Sequence, residues 1–358
     1  MKKILLSGID AIAKGAMDAG CRFYAGYPIT PQNELTAYMG LHMPQEKGVF
    51  IQAESEVAAI NMVFGASAAG ALAMTSSSSP GISLKQEGIS YIAGAELPAV
   101  IVNIMRGGPG LGNIWPAQSD YWQATRGGGH GDYHCLVLAP SSVQEAYDFM
   151  FKAFSLADQY RNPVMILGDG MLGQMMEPVS VLEAKNRKPS NENRAPKTWA
   201  LTGCRGRNPN IVKSFYLHPG ELEKFNLELQ IKYTKIVKNE QQFESLYLDD
   251  AEIILVAYGT MARIVKDALK KLRLAGYKVG LIRPITLWPF PKNIFNSLTR
   301  KPVNSLTFLA IEMSYGQMVD DVSLAVNGRS PVEFIGRSGG GILSVGEIIK
   351  KVKSIVNK

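Results

Sequence analysis

Two patterns of hydrophobic positions alternate along the first half of the chain. Short, mainly apolar strand candidates occur at RFYAGYPI (22–29), ALAMTSS (71–77), AVIVNIM (99–105), CLVLAP (135–140) and PVMILGD (163–169). Between them, in ELTAYMGLHM (34–43), EVAAINMVFGASAAG (56–70) and SVQEAYDFMFKAFSLADQY (142–160), apolar residues return at helical spacing. Strands that are apolar throughout belong to a parallel sheet covered on both faces, and their alternation with helices predicts an α/β fold. Loops that follow the carboxyl ends of such strands gather along one edge, where ligands bind. Ser141 or Ser142 can cap the third helix, and Glu145, three residues after Ser142, has the spacing of a capping box.

This pattern carries residues 1–185 as one parallel-sheet domain. From 186 to 248 the chain turns polar and charged, beginning with NRKPSNENRAPKT (186–198), and reads as a linker with an extended excursion. A second, smaller α/β domain occupies 249–358. Its strands are AEIILVAYGT (251–260), KVGLIRPITLWPFP (278–291), SLTFLAIEMS (305–314) and PVEFIGR (331–337). Its helices are MARIVKDALKKLRLAG (261–276), ended by Gly276, and VGEIIKKVKSIV (345–356).

Composition narrows the class. Hydrophobic residues make up 46% and charged residues 19% of 358, enough for a large core. No stretch approaches the roughly 18 apolar residues of a membrane helix, and the apolar run in MKKILLSGIDAIAKG is too short for a signal peptide. The expectation is a cytoplasmic protein that binds no membrane. Cys21, Cys135 and Cys204 lie too far apart for a CxxC motif, which argues against an iron–sulfur cluster on this chain and suits a reducing compartment. The net charge of +7 and pI of about 9.1 come mainly from the second half. A solvated basic surface accounts for that, with an anionic partner as the second reading; basic segments without interleaved aromatics do not suggest nucleic acid.

Four stretches fall where functional loops are expected: GYPITP (26–31), AESEVAAI (53–60), MRGGPGLGN (105–113) and LGDGMLGQ (167–174). Pro28 and Pro31 lock the backbone on either side of Thr30, which either ends a strand or presents something. Glu54 reads as an acid at a helix start. Glu56 opens a helix of small apolar residues, where burial would push a carboxyl up and let it exchange a proton near neutral pH. Arg106 ends a strand before GGPG, and its fork of donors suits a carboxylate. Asp169, in GDG, has Asn191 and Asn193 downstream at the distance of a thiamine-type magnesium motif. Those asparagines sit in a polar tract, so a strand-ending turn is the better account and no metal is expected. His130 and His134 lie in a glycine-rich stretch without a third ligand and read as a flexible loop over the site. Asp120 either caps the following helix or orients a partner. Trp115, Tyr121 and Trp122 either line an apolar pocket or pack.

Taken together, GYPITP, ESEVAAINMVFGASAAGALAMTSSSSPGISLKQEGI, MRGGPGLGNIWPAQSDYWQA and APSSVQEAYD resemble the alpha subunit of the thiamine diphosphate-dependent 2-oxoacid:ferredoxin oxidoreductases. The resemblance implies a pyrimidine-binding-type parallel-sheet domain. The later AYGT, RPITLWPFP and IEMSYGQM imply a transketolase C-terminal-like domain. By the same resemblance Glu56 would hydrogen-bond the aminopyrimidine ring and favour its imino form, Thr30 and Arg106 would meet the substrate, and Pro28 would shape the cofactor wall. The diphosphate and Mg²⁺ would sit on a beta subunit. [4Fe-4S] clusters would sit on the beta subunit and a ferredoxin-like delta subunit, with a gamma subunit completing the complex. The reaction implied is oxidative decarboxylation of a 2-oxo acid to its acyl-coenzyme A, with reduction of ferredoxin. Leu111, Ile114 and Trp115, with no basic residue before Arg126, resemble the 2-oxoisovalerate (branched-chain) group. The alternatives are 2-oxoglutarate or pyruvate as substrate, or a non-catalytic paralogue that scaffolds such a complex.

Overall fold

In the computed structural model of this chain, which describes residues 2–182, 196–299 and 306–357, the apolar runs become the central strands of two sheets. The first part contains β1 (Lys2–Ser7), α1 (Gly8–Asp18), β2 (Phe23–Gly26), α2 (Asn33–His42), β3 (Val49–Gln52), α3 (Glu56–Ala68), β4 (Ala73–Ser77), α4 (Ser79–Gly94), β5 (Ala99–Met105), α5 (Tyr121–Arg126), β6 (Leu136–Leu138), α6 (Val143–Tyr160), β7 (Pro163–Asp169), α7 (Gly170–Gln174) and β8 (Met176–Val181). The second contains α8 (Glu221–Asn239), β9 (Phe243–Leu246), β10 (Ile253–Val256), α9 (Gly259–Leu274), β11 (Val279–Pro284), β12 (Thr286–Trp288), α10 (Lys292–Thr299), β13 (Thr307–Glu312), α11 (Met318–Val326), β14 (Val332–Gly336) and α12 (Val345–Val356).

The main sheet runs β12-β6-β7-β5-β4-β2-β3, parallel except for β12. Every residue of β4, β5 and β7 is buried, which is why β5 and β7 read as mainly apolar runs; β4 buries the polar Thr75, Ser76 and Ser77 as well. The edge strand β3 and the separate antiparallel pair β1–β8 are half-buried. Their mixed composition hid them from the hydrophobic pattern. The second sheet runs β14-β13-β10-β11-β9, with only β9 antiparallel. The chain is therefore mixed α/β with two largely parallel sheets, as its pattern predicted.

Three details depart from the pattern. First, the polar segment after the first domain contains α8, a 19-residue helix whose Leu229, Tyr233 and Ile236 are buried. Those positions, four and three apart, form one stripe. Around it, Lys232 pairs with Glu96 at 3.1 Å and the Tyr160 hydroxyl donates to Glu240 at 2.6 Å, so the stripe is seated on the first domain.

Second, KVGLIRPITLWPFP is two strands, not one. β11 belongs to the second sheet, whereas β12 crosses to pair antiparallel with β6 in the first. Just before the crossing, the buried Arg283 donates to both Glu145 oxygens (2.9 and 2.7 Å) and to Glu244 (2.7 Å). Third, Glu145 completes only half of a capping box. The Ser142 hydroxyl accepts from the Glu145 amide, but the Glu145 carboxylate accepts from Ser141 and Arg283. The complete box is at α12, from Ser344 and Glu347.

Gly276 ends α9 as expected, with φ of +85° one residue past the C-cap, a conformation that glycine adopts without strain. No helix among the described residues is long and apolar enough to cross a membrane.

Candidate functional site

Because β2, β3, β4, β5 and β7 are parallel, the segments that follow them share one edge of the sheet. The loop after β2 is held from two sides. Gln32, fully buried, accepts from Ser76 at 2.6 Å, and Ser76 also contacts the Tyr24 hydroxyl at 2.6 Å. Arg106, at the end of β5, donates to the Thr30 carbonyl oxygen at 2.8 Å and to the Leu111 carbonyl oxygen at 3.1 Å. The Thr30 hydroxyl accepts from Asn33 at 3.3 Å. Thr30 is therefore fixed through its backbone, while its side chain stays half-exposed and Pro28 is exposed.

Glu56 begins α3, and Ser55 caps the helix by accepting from the Ala58 amide at 3.2 Å. The carboxyl is buried at 6% exposure, as the apolar sequence after it implied. The first turn of α4 lies against it. A Cβ on Gly81 would stand 2.5 Å from Glu56 Oε1 and 2.1 Å from Ser77 Oγ, so only glycine lets the two helices meet here. Lys85, fully buried one turn further along α4, donates to Thr75 Oγ1 at 2.9 Å and to the Glu56 carbonyl oxygen at 3.5 Å. Burial pulls its amine down to about 7, opposed by the charge of Glu56. Glu54 is exposed beside Ser55, as a simple helix-start acid should be.

Asp120 joins the two groups, and its two open readings resolve in favour of the second. It sits at the N-cap position of α5 without capping it. Instead it accepts from Ser79 at 2.6 Å and from Asn103 at 2.9 Å. Ser79 also accepts from the Arg106 amide at 3.0 Å. Burial pushes the Asp120 carboxyl up, against these two hydrogen bonds.

Two residues earlier, the fully buried Gln118 clamps the second domain. It donates to the Tyr258 carbonyl oxygen at 3.0 Å and accepts from the Met313 amide at 2.9 Å. The sequence pattern does not single out Ser79, Gly81 and Lys85, because their roles arise only where α3 and α4 meet. The available signal was Lys85 itself, placed at helical spacing between Ile82 and Ile89.

A cavity of about 680 Å³ opens beside Thr30, walled by Pro31, Ile114, Trp115, Met171, Met175 and Ile342. The second domain contributes through residues 337–343, where the Gly339 carbonyl oxygen accepts from Asn113 at 2.9 Å. Of the three aromatic candidates, only Trp115 lines this cavity. Tyr121 is core, with its hydroxyl on Asp321, and Trp122 hydrogen-bonds Gln317. Leu111 is 81% exposed and offers its carbonyl to Arg106.

The fourth stretch behaves as a turn. Asp169 caps α7, accepting from the Met171 and Leu172 amides at 3.0 and 3.1 Å. Asn191 and Asn193 lie outside the described residues. Among the described residues no cluster of three or more His, Cys, Asp or Glu could hold a metal ion. His134 stacks on Trp288 at 4.4 Å, and the glycines before His130 press on Gln86 and Ser90 of α4, so the expected flexible loop is packed against the helix.

Residues 14–227 match the family described as pyruvate flavodoxin/ferredoxin oxidoreductase, thiamine diphosphate-binding, and residues 251–348 match pyruvate:ferredoxin oxidoreductase core domain II. The chain belongs to the 2-oxoacid:ferredoxin oxidoreductases. Across 354 residues it is 49% identical to the ketoisovalerate oxidoreductase subunit VorB of Methanothermobacter marburgensis, covering 99% of this chain and 98% of that one. It is 36% identical to the 2-oxoglutarate synthase subunit KorA of the same organism, covering 98% of each. Its fold matches a structure of 2-oxoglutarate:ferredoxin oxidoreductase from Magnetococcus marinus, with bound 2-oxoglutarate, coenzyme A and succinyl-CoA, at a TM-score of 0.85 and 26% identity. The chain covers 65% of that structure's chain.

The first domain of this oxidoreductase subunit is thus a thiamine diphosphate-binding domain, and its buried polar atoms fit the pyrimidine end of the cofactor. Glu56 is held at the sheet edge beside Ser77 Oγ, and along the same edge Ser77 Oγ, Ser78 Oγ and Arg106 Nε are buried without a hydrogen-bond partner among the described residues. The diphosphate end finds no such fit, because the carboxylate of GDG is occupied in capping α7.

Proposed function

We propose that this chain is the alpha subunit of an oxidoreductase that converts 2-oxoisovalerate to its acyl-coenzyme A and passes the electrons to ferredoxin. The observation that carries this reading is the buried carboxyl of Glu56, held between the start of α3 and Gly81 on the same sheet edge as the Arg106–Thr30 pair. Glu56 would lend its proton to the aminopyrimidine ring, and its burial keeps water from competing. Thiamine diphosphate supplies a nucleophilic carbon for the 2-oxo group and a sink for the electrons left when carbon dioxide departs.

Arg106 would fix the Thr30 loop and place a positive charge near the substrate carboxylate, with Thr30 Oγ1 beside the carbonyl. Pro28, exposed on the loop, is free to form part of the cofactor wall. The 680 Å³ cavity sets Asn33, Glu34 and Gln174 beside its apolar walls and has no basic residue in its lining, which suits a branched alkyl chain better than a second carboxylate. Identity to the ketoisovalerate subunit, higher than to the 2-oxoglutarate subunit, supports the same choice.

The rest of the site belongs to partners. A beta subunit would hold the diphosphate, Mg²⁺ and an iron–sulfur cluster, and gamma and ferredoxin-like delta subunits would complete the path to ferredoxin. The three cysteines of this chain are unpaired, which suits a reducing, cytoplasmic setting and leaves the clusters to the other subunits. The reading is tested by co-purifying the complex and comparing turnover on 2-oxoisovalerate, 2-oxoglutarate and pyruvate with coenzyme A. Preference for 2-oxoisovalerate is expected. Preference for 2-oxoglutarate overturns the substrate assignment, and no turnover on any of the three overturns the enzyme itself.

A further inference from the structure

A lysine with no solvent exposure is rare, because an ammonium loses its hydration on burial and needs a specific reason to stay. Lys85 is such a residue, and it reaches the helix that carries the candidate cofactor acid. Its Nζ donates to Thr75 Oγ1 at 2.9 Å on β4 and to the Glu56 carbonyl oxygen at 3.5 Å on α3. The groups around it leave Glu56 as its only charged neighbour among the described residues. β4 offers the uncharged Thr75, Glu87 on α4 is turned outward to the Tyr91 hydroxyl, and Asp120 is engaged by Ser79 and Asn103. One turn away, Gly81 removes the side chain that would otherwise push Glu56 aside.

We propose that Lys85 is a positioning residue for Glu56: its buried ammonium ties the start of α3 to β4 and places a positive charge facing the Glu56 carboxyl. The proposal rests on the reading that Glu56 meets the aminopyrimidine ring, and it goes beyond that reading by naming what holds the acid in place. Burial pulls the amine down to about 7, so the charge facing Glu56 changes within the working range of an enzyme. The amine is too enclosed to touch a substrate, so its action passes through Glu56.

The test uses the assembled complex with three variants, Lys85→Met, Thr75→Val and Glu56→Gln. Two quantities are read between pH 5.5 and 9: turnover of 2-oxoisovalerate, and the dissociation constant of thiamine diphosphate followed by tryptophan fluorescence. In the wild type both profiles should bend near pH 7. Lys85→Met should remove the bend from both and lower kcat by about 100-fold, as expected for a slightly misplaced catalytic group. KM for the 2-oxo acid should stay within about twofold, because the substrate contacts are untouched. Thr75→Val, which leaves the ammonium in place without its anchor, should shift the bend instead of removing it. Wild-type profiles in Lys85→Met, alongside a collapsed Glu56→Gln, overturn the role of Lys85 and leave Glu56 standing. A Glu56→Gln complex with normal affinity and turnover removes the reading on which the proposal rests.

Discussion

Arg106 and Thr30, 76 residues apart in sequence, are joined by a 2.8 Å hydrogen bond from the guanidinium to the carbonyl oxygen. A second donor of the same guanidinium reaches Leu111, so one planar group ties the ends of two loops. Removing it leaves two carbonyl oxygens without their charged donor. Arg106→Ala should therefore lower stability by about 3–6 kcal/mol, since each of its two hydrogen bonds from a charged group contributes about 1.5–3 kcal/mol. Arg106→Lys should rescue little, because a single ammonium cannot span both oxygens. Chemical denaturation of the two variants checks this, and a lysine variant as stable as wild type would refute it.

Gly81→Ala tests the closeness of α3 and α4. The added methyl would fall 2.5 Å from Glu56 Oε1 and 2.1 Å from Ser77 Oγ, so one of these groups must move. Overpacking of this kind costs about 1–3 kcal/mol. If Glu56 is the group that moves, turnover of the assembled complex should fall at least about 10-fold, measured with a viologen dye as electron acceptor. An active complex of normal stability would mean that the contact has slack.

The buried amine of Lys85 makes a separate statement about stability. Its folded value, about 7, lies below the unfolded value of 10.5. Between these values the unfolded chain binds the extra proton, so stability rises as pH rises from about 7 toward 10.5. Below about 7 the burden of the buried charge is present in full. At 1.36 kcal/mol per unit it is on the order of 5 kcal/mol, an upper figure for a buried ionisable group. Lys85→Met should thus raise the melting temperature of the isolated chain most near pH 6, with the gain shrinking toward pH 10. A gain independent of pH would mean that the amine is not buried in its charged form.

Gln118 makes the most direct prediction about how the domains stay together. Its amide bonds the Tyr258 carbonyl oxygen and the Met313 amide, both from the second domain. Gln118→Ala leaves the Met313 amide unpaired, at roughly 1–3 kcal/mol, while the Tyr258 carbonyl oxygen keeps the Ala262 amide at 3.2 Å. Hydrogen exchange should then quicken at Met313 and in the segment leading into α11, with β4 and β5 of the first sheet unchanged. Uniform exchange across both sheets would contradict this.

Much of the fold was legible because fully buried parallel strands leave an unambiguous apolar signature, as in β5 and β7. What stayed hidden had a physical reason in each case. β1 and β8 pair with each other away from the main sheet, and half-exposed strands carry mixed sequences. α8 was masked by its polar surface, since only Leu229, Tyr233 and Ile236 face inward. The split at Ile285 between β11 and β12 is decided by partner strands that no local pattern records. At the site, Glu56 stood out as an acid before an apolar helix, and Arg106 as a base at a strand end. Their supports, Ser79, Gly81, Lys85 and Asp120, are ordinary residues locally, and only the meeting of α3, α4 and the loop after β5 makes them a cluster.

The central claim is most directly measured by replacing one oxygen. Glu56→Gln keeps the shape of the side chain but removes its ability to take up and return a proton. In the co-purified complex, dye reduction dependent on 2-oxoisovalerate and coenzyme A should fall at least about 100-fold, with subunit assembly unchanged. An assembled Glu56→Gln complex that reduces the dye at the wild-type rate would contradict the account.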